Sequence, residues 1–483
     1  MKVKKLNYGR VSLKIIEELK KIVGEENVSS EEEDLICYSR DASLYQYLPD
    51  VIVRPKTTEQ VSLIMKLANK NRIPVTPRGG GSGAAGGCLP LVGGILLDMR
   101  AMNQIISINI EDQMTIVEAG VVYDFLNEKL MRKGFFFPPD PSSGIVCTIG
   151  GMVNTNASGE RGIKYGSTKD YVLWLEVVLP SGEIIHTGSK TLKSVSGLDL
   201  TRLIVGSEGS LGVVTKVCLK ILPVPEYYGT AVFIYDSINS LAKAAAKVRE
   251  AGIIPEMIEF MDRKTTKLAF EYIGIKGLPE GNFMLIDVGG IEEYVTKTLN
   301  KVFEICLKEK PEYSEKTFEK EYRDKLIAAR KSALPSLARL KPCTVLEDCT
   351  LPLSKLPEAA YKIEEIPEML DGSGVDLGDF GHIGDGNLHP TFVFDDRIEK
   401  EKLAFLKGLD ILYKDIVLPL GGSITAEHGV GLAKAPYISL EHGPAVKWMR
   451  AIKKLFDPKF ILNPGKGKGG PYPMEEIKIE IAE

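Results

Sequence analysis

Residues 77–87 read Pro77-Arg78-Gly79-Gly80-Gly81-Ser82-Gly83-Ala84-Ala85-Gly86-Gly87. They follow IPVTPR (73–78), a short run with the character of a buried strand. Gly81-x-Gly83-x-x-Gly86 has the spacing of a dinucleotide-binding fingerprint. That fingerprint has to open a helix, and Gly86, Gly87, Pro90, Gly93 and Gly94 forbid one. Two readings remain. The run is either a loop whose N–H groups form an anion nest and let a pyrophosphate approach the main chain, or a flexible glycine loop.

Upstream, VIVRP (51–55) reads as another short buried strand. Thr57 with Gln60 forms a capping box that opens a helix to about Lys70. Strand, helix and strand make a βαβ unit, so the two strands are expected to be parallel. Downstream, 95–99, 115–120, 171–180, 183–188 and 211–223 read as further strands. Two more segments resemble the first loop in composition. One runs from Pro138 through Gly144 into the Gly/Asn-rich stretch 147–159, read as a long polar loop with little to bury. The other is Gly206-Ser207-Glu208-Gly209-Ser210-Leu211-Gly212. Three such loops within one domain suggest one large phosphorylated ligand.

The remaining composition narrows the class. The 483 residues carry a net charge of −4, which argues against a dedicated nucleic-acid binder. Glycine, at 47, exceeds the usual ~7%, while there are only five histidines. Seven dispersed cysteines include no C-x-x-C, so a cysteine-built cluster or zinc site is not expected. The set suits a reducing cytoplasm. No run of ~18 apolar residues is present, and residues 13–23 read as an amphipathic helix, not a signal peptide.

PRGGGSG (77–83), CTIGGMVNTNASG (147–159), KYGSTKDYV (164–172) and VGSEGSLGVVT (205–215) resemble the FAD-binding domain of the vanillyl-alcohol-oxidase superfamily. They are most similar to its glycolate oxidase/D-lactate dehydrogenase branch. The resemblance implies an α+β chain: a PCMH-type, two-subdomain FAD-binding domain (1–222), an α+β, ferredoxin-like substrate cap (223–420), with Pro223 and Pro225 marking the boundary, and a C-terminal segment returning to the flavin domain (421–466); the tail 467–483 begins GKGG and is expected to be mobile. It implies FAD contacts from Pro77, Arg78, Gly79, Gly80, Gly81, Ser82, Gly83, Pro139, Ser142, Thr148, Gly150, Gly151, Asn154, Ala157, Ser158, Gly159, Glu208, Gly209, Gly212, Val213 and Asn463. Relatives with covalent FAD use a histidine in the first glycine loop. Gly80 and Gly81 stand there and no histidine precedes His186, so a non-covalent flavin is expected.

A second centre is legible near the C-terminus. Residues 381–390 read Gly-His-Ile-Gly-Asp-Gly-Asn-Leu-His-Pro. Asp385-Gly386 is a strong two-residue hairpin signal. Counting outward pairs Gly384 with Asn387, Ile383 with Leu388 and His382 with His389, so both imidazoles are expected on one face. Such a pair either packs and hydrogen-bonds or binds a metal. Glu427 and His428, in the glycine-bracketed stretch 421–431, add a carboxylate. Two histidines and a carboxylate suit Zn²⁺, Fe²⁺ or Mn²⁺ with open positions.

HIGDGNLHP and TAEHGVG also resemble the D-2-hydroxyacid members of the family. The resemblance implies His382, His389 and Glu427 as metal ligands, His428 as the base, and Asn387, His428 and Arg330 around the substrate, with Arg330 on its carboxylate. The implied activity is an FAD- and metal-dependent D-2-hydroxyacid dehydrogenase, with hydride passing to flavin N5. The D-2-hydroxyglutarate enzymes carry a lysine near the position of Leu346 and an asparagine at that of Thr391. D-lactate or glycolate is therefore favoured over D-2-hydroxyglutarate. A non-redox alkyl-dihydroxyacetone-phosphate-synthase-like enzyme and an electron-transfer flavoprotein subunit with a non-catalytic metal site stand as alternatives. Reoxidation implies a partner: an iron–sulfur subunit, an electron-transferring flavoprotein, a cytochrome or a quinone. A cytoplasmic protein is expected, with attachment to a membrane through a partner, and a homodimer, left open.

Overall fold

The computed structural model describes residues 4–466 and 477–481. The expected tail, 467–483, lies outside these apart from the strand Ile477–Ile481, which pairs in parallel with Lys4–Tyr8. The chain divides into two compact units. One holds the described residues up to Ser158, Ser167–Val224 and those from Glu427 onward; the other holds Gly159–Gly166 and Pro225–Ala426.

The first unit contains two main sheets. In the four-stranded sheet the order is Val28–Ser29, Val51–Val53, Ile95–Asp98, Val75–Arg78. The two strands of the expected βαβ unit are both parallel to Ile95–Asp98, which lies between them. The connecting helix Thr58–Asn71 is capped by Thr57, whose Oγ1 accepts from Gln60 N–H at 3.2 Å. The Gln60 carboxamide accepts from Lys56 N–H, one residue before the position a capping box requires. The second sheet is antiparallel, in the order Ile184–Gly188, Val172–Val178, Val213–Lys220, Met114–Glu118, Ile105–Asn109. Val178 and Val213 join Val51, Val53, Ile95 and Leu97 in one core.

The segment after the helix Val446–Phe456 is tied to this core by a buried ion pair. Lys453 Nζ donates to Asp457 Oδ2, Ser210 O and Leu462 O. Asp457 also accepts from Ile461 and Leu462 N–H. A buried charge needs such saturation. Leu462 then bridges to Val75 in parallel, and Asn463 N–H donates to Val75 O at 2.7 Å.

The second unit is built on a seven-stranded sheet: Tyr313–Thr317, Tyr227–Tyr235, Asn282–Gly290, Met257–Met261, Phe380–His382, Asn387–Leu388, Cys349–Thr350. Its pairings are antiparallel. Alternation assigns the faces. Val232, Ile234, Met257 and Met261 pack with Leu326, Ala329, Ala333 and Leu337 of the helices Lys320–Lys331 and Ala333–Leu337. Phe233 packs against Phe303 of the helix Glu292–Leu307. A small sheet of Cys343–Leu346, Thr391–Phe394 and Asp376–Gly378 completes the unit.

Two local expectations are corrected. The stretch 147–159 is not all loop: Ile149–Thr155 is a helix, with Thr148 Oγ1 accepting from Gly151 N–H. Glycine is tolerated inside it because a Cβ at Gly150 would lie 2.7 Å from Ala119 Cβ and 2.9 Å from Ala119 O. The hairpin is not closed by two residues. Its register pairs His382 with Asn387 and Gly381 with Leu388, leaving Ile383–Gly386 as the loop. Gly384 is withdrawn from the ladder: its N–H donates to Ile258 O, and a Cβ there would lie 2.9 Å from Ile258 Cβ.

Candidate functional site

In the first unit the glycine loops converge. The strand Val75–Arg78 delivers the run 79–87, which packs on the residues leading into the helix Ile149–Thr155. A Cβ at Gly79 would overlap Thr148 Oγ1, and one at Gly80 would overlap Val146 O. Gly81, at φ +70°, needs the left-handed region. The third loop docks on the same helix: Glu208 N–H donates to Asn154 O, and Gly209 N–H to Asn154 Oδ1 at 2.9 Å. Asn463 Nδ2 donates to Gly87 O and to Glu208 O, joining the returning segment to two of the loops. The result is a cradle of main-chain groups and helix N-terminus suited to a pyrophosphate.

The individual residues divide by what their side chains can reach. Arg78 is buried, with its guanidinium donating to Arg40 O at 2.7 Å. Pro139 is buried and Ser142 exposed. Ala157 O accepts from Thr168 N–H. Ser158 ends a stretch of the first unit, whereas Gly159 belongs to the second. A Cβ at Gly212 would overlap Val177 Cγ1, and Val213 lies in the core, so both can offer a ligand only main chain. Glu208 has its carboxylate committed elsewhere: Oε1 accepts from Val430 N–H at 2.6 Å and Oε2 from Gly431 N–H at 3.0 Å. It thereby pins the loop that follows His428, whose Nε2 lies 3.3 Å from Glu427 Oε1. Lys466 is fully enclosed, donates to Leu89 O, and is pushed down to about 8 by burial.

In the second unit the hairpin histidines come together despite the changed register. The loop is longer by two residues than a two-residue turn, and a two-residue shift preserves facing. His382 and His389 are diagonal neighbours on one face, their ring centroids 5.1 Å apart at 88°. Each offers a ring nitrogen within 4.8 Å of the other, and a carboxylate oxygen of Asp348 lies within 4.8 Å of His389. His382 and His389 are both buried. Asn387 Nδ2 donates to Asp348 Oδ1 at 2.7 Å and to Cys349 O. Asp348 Oδ2 accepts from Thr425 Oγ1 and Ala426 N–H. This anchors the main chain immediately before Glu427 on the carboxylate that also holds Asn387.

Two residues missed in the sequence are central here. Glu259 lies in the strand Met257–Met261 on the face carrying both methionines. The pairing of Phe260 with Gly381 and Met261 with Phe380, continued by one residue, sets Glu259 opposite His382. Its Oε1 lies 2.8 Å from His382 Nδ1 and its Oε2 2.9 Å from Arg330 NH2. Arg330 is 4% exposed, stacks 4.8 Å above the Phe380 ring, and has a buried Nε–H with no hydrogen-bond partner among the described residues. The signal for Glu259 was a charge at an inward position of an otherwise apolar strand. Asp348 gave no such signal, because its partners arrive from distant segments.

The fold and cradle define a flavoprotein with a second unit built around a histidine hairpin. Residues 49–188 match the FAD binding domain model, and residues 224–467 match FAD linked oxidases, C-terminal domain. The chain is 41% identical to the glycolate oxidase subunit GlcD of Bacillus subtilis, over 93% of this chain and 96% of that one. It is 33% identical to the mitochondrial D-lactate dehydrogenase [cytochrome] of Arabidopsis thaliana, over 96% and 82%. Among solved structures it resembles p-cresol methylhydroxylase, with TM-score 0.77 at 18% identity over 96% and 97% of the two chains. Alkyldihydroxyacetonephosphate synthase gives 0.74 at 21% over 95% and 85%. This chain belongs to the FAD-linked oxidases.

Proposed function

We propose that this chain is an FAD- and divalent-metal-dependent D-2-hydroxyacid dehydrogenase that oxidises D-lactate or glycolate to the 2-oxoacid. The observation that carries the reading is the buried pair of His382 and His389 on one face, with a carboxylate on His382 Nδ1. A ring whose Nδ1–H is held by a carboxylate presents Nε2 as a metal donor. The donor set fits a divalent ion of borderline softness: His382 and His389 would hold it, with Glu427 as third ligand. When bound, FAD supplies the hydride acceptor at N5 and the metal a Lewis acid for the hydroxyl.

The chain's own residues would do the rest. His428 would accept the hydroxyl proton on its imidazole, on a loop that Glu208 holds in place. Arg330 Nε–H has no partner among the described residues and would be offered to a substrate carboxylate while NH2 faces Glu259. Asn387, fixed by Asp348, would line the substrate. The FAD contacts would come from the converging loops and Asn463. Electrons would leave to a partner acceptor: an iron–sulfur subunit, an electron-transferring flavoprotein, a cytochrome or a quinone.

The small substrate is supported by a juxtaposition. Leu346 and Thr391 are directly paired across their ladder, and Thr391 Oγ1 already donates to His389 O. Neither offers a cation to a distal carboxylate. Turnover with an artificial electron acceptor tests this: kcat/KM for D-2-hydroxyglutarate is expected at least ~100-fold below that for D-lactate or glycolate. Comparable values would refute the small-monocarboxylate reading.

A further inference from the structure

We propose that Glu259 is a positioning residue that fixes His382 and Arg330 together for the reaction proposed above, on which this inference rests. Its neighbours Met257, Ile258, Phe260 and Met261 are all buried, and Glu259 is itself 1% exposed. A carboxylate in such a place is costly unless its oxygens are met by donors or cations. Each faces a different element: Oε1 is within hydrogen-bond distance of His382 of the hairpin, and Oε2, which has no hydrogen bond among the described residues, lies in an ion pair with Arg330 of the helix Lys320–Lys331. The guanidinium is held again by the Phe380 ring beneath it, and Phe380 in turn packs against His389, with centroids 5.6 Å apart.

The arrangement decides the tautomer. An ionised carboxylate only accepts hydrogen bonds, so His382 Nδ1 carries the hydrogen. With the hydrogen on Nδ1, the lone pair lies on Nε2, away from Glu259. One side chain thereby points a ligand nitrogen and aims a guanidinium whose Nε–H is unspent. Without Glu259 the tautomer loses its bias and Arg330 loses its counter-ion.

The test uses full-length, FAD-loaded protein. Zn²⁺ affinity is measured by chelator competition, and the His382 tautomer by ¹⁵N-histidine NMR, assigned by difference with His382→Asn. In Glu259→Ala the Zn²⁺ Kd is expected to rise ~10–100-fold with FAD content unchanged, and His382 is expected to lose its fixed Nδ1–H form. A Kd within twofold of wild type, with Nδ1–H retained, would overturn the proposal. If wild type takes up no Zn²⁺, the metal reading fails, and the tautomer alone decides the role of Glu259: loss in Glu259→Ala sustains it, retention overturns it. Should Glu259→Ala not fold, Glu259→Gln, which keeps the shape and drops the charge, is measured instead. A rise of at least ~fivefold is then expected, and a Kd within twofold overturns the proposal.

Discussion

His428 stands on a loop that has little freedom of its own. Val430 and Gly431 give their N–H groups to Glu208, and Gly429 and Gly431 occupy the left-handed region at φ +84° and +47°. A Cβ at Gly431 would overlap Ala85 O. The imidazole is therefore presented by main chain that the flavin unit fixes, while its own ring makes no part of the cradle described above. His428→Ala is expected to retain FAD at wild-type stoichiometry and to slow flavin reduction by ~10²–10⁴-fold. Absorbance for occupancy and anaerobic rapid mixing for the rate check it, and full-speed reduction would remove His428 from the mechanism. Asp348 does comparable work in the other unit, holding Asn387 on one oxygen and Thr425 and Ala426 on the other.

Among the elements, the first glycine loop depends on contact more than on flexibility. Gly80 has no room for a side chain, because Val146 O occupies the place a Cβ would take. Backbone cannot yield as a side-chain tip can. Gly80→Ala is expected to lower FAD occupancy of the purified protein at least ~tenfold in affinity while the fold persists, since a loop that must move loses its register with the helix Ile149–Thr155. Cofactor titration by fluorescence quenching, beside circular dichroism, checks both halves. The loops were legible in the sequence because glycine clustering is a local signal, and strand edges such as Val75–Arg78 and Ile95–Asp98 followed from short apolar runs. The helix Ile149–Thr155 was not, because two glycines cost ~1 kcal/mol each in a helix and the close approach of Ala119 that leaves Gly150 no room for a side chain comes from a distant segment. The hairpin register was not, because Asp385-Gly386 signals a turn locally while the ladder with Met257–Met261 sets the pairing. The histidines were found on one face all the same, since the error was an even number of residues.

Across the whole chain, the scarce histidine and abundant glycine answer different needs. The densest glycine run, from Gly79 to Gly87, lies in the first unit; His382 and His389 lie in the second, and His428 follows the chain's return to the first. What the sequence hid was how the carboxylates are used: Glu259 and Asp348 gave no named role, and Glu208, expected at FAD, gives its carboxylate to Val430 and Gly431 N–H, partners that only folding brings to it. The proposed oxidation would draw on all of these parts, and its decisive test is anaerobic rapid mixing of the metal-loaded flavoprotein with D-lactate or glycolate. Bleaching of the oxidised flavin band by at least one of them, with L-lactate inert, is the predicted result. A flavin that stays oxidised with D-lactate, glycolate and D-2-hydroxyglutarate alike would contradict it.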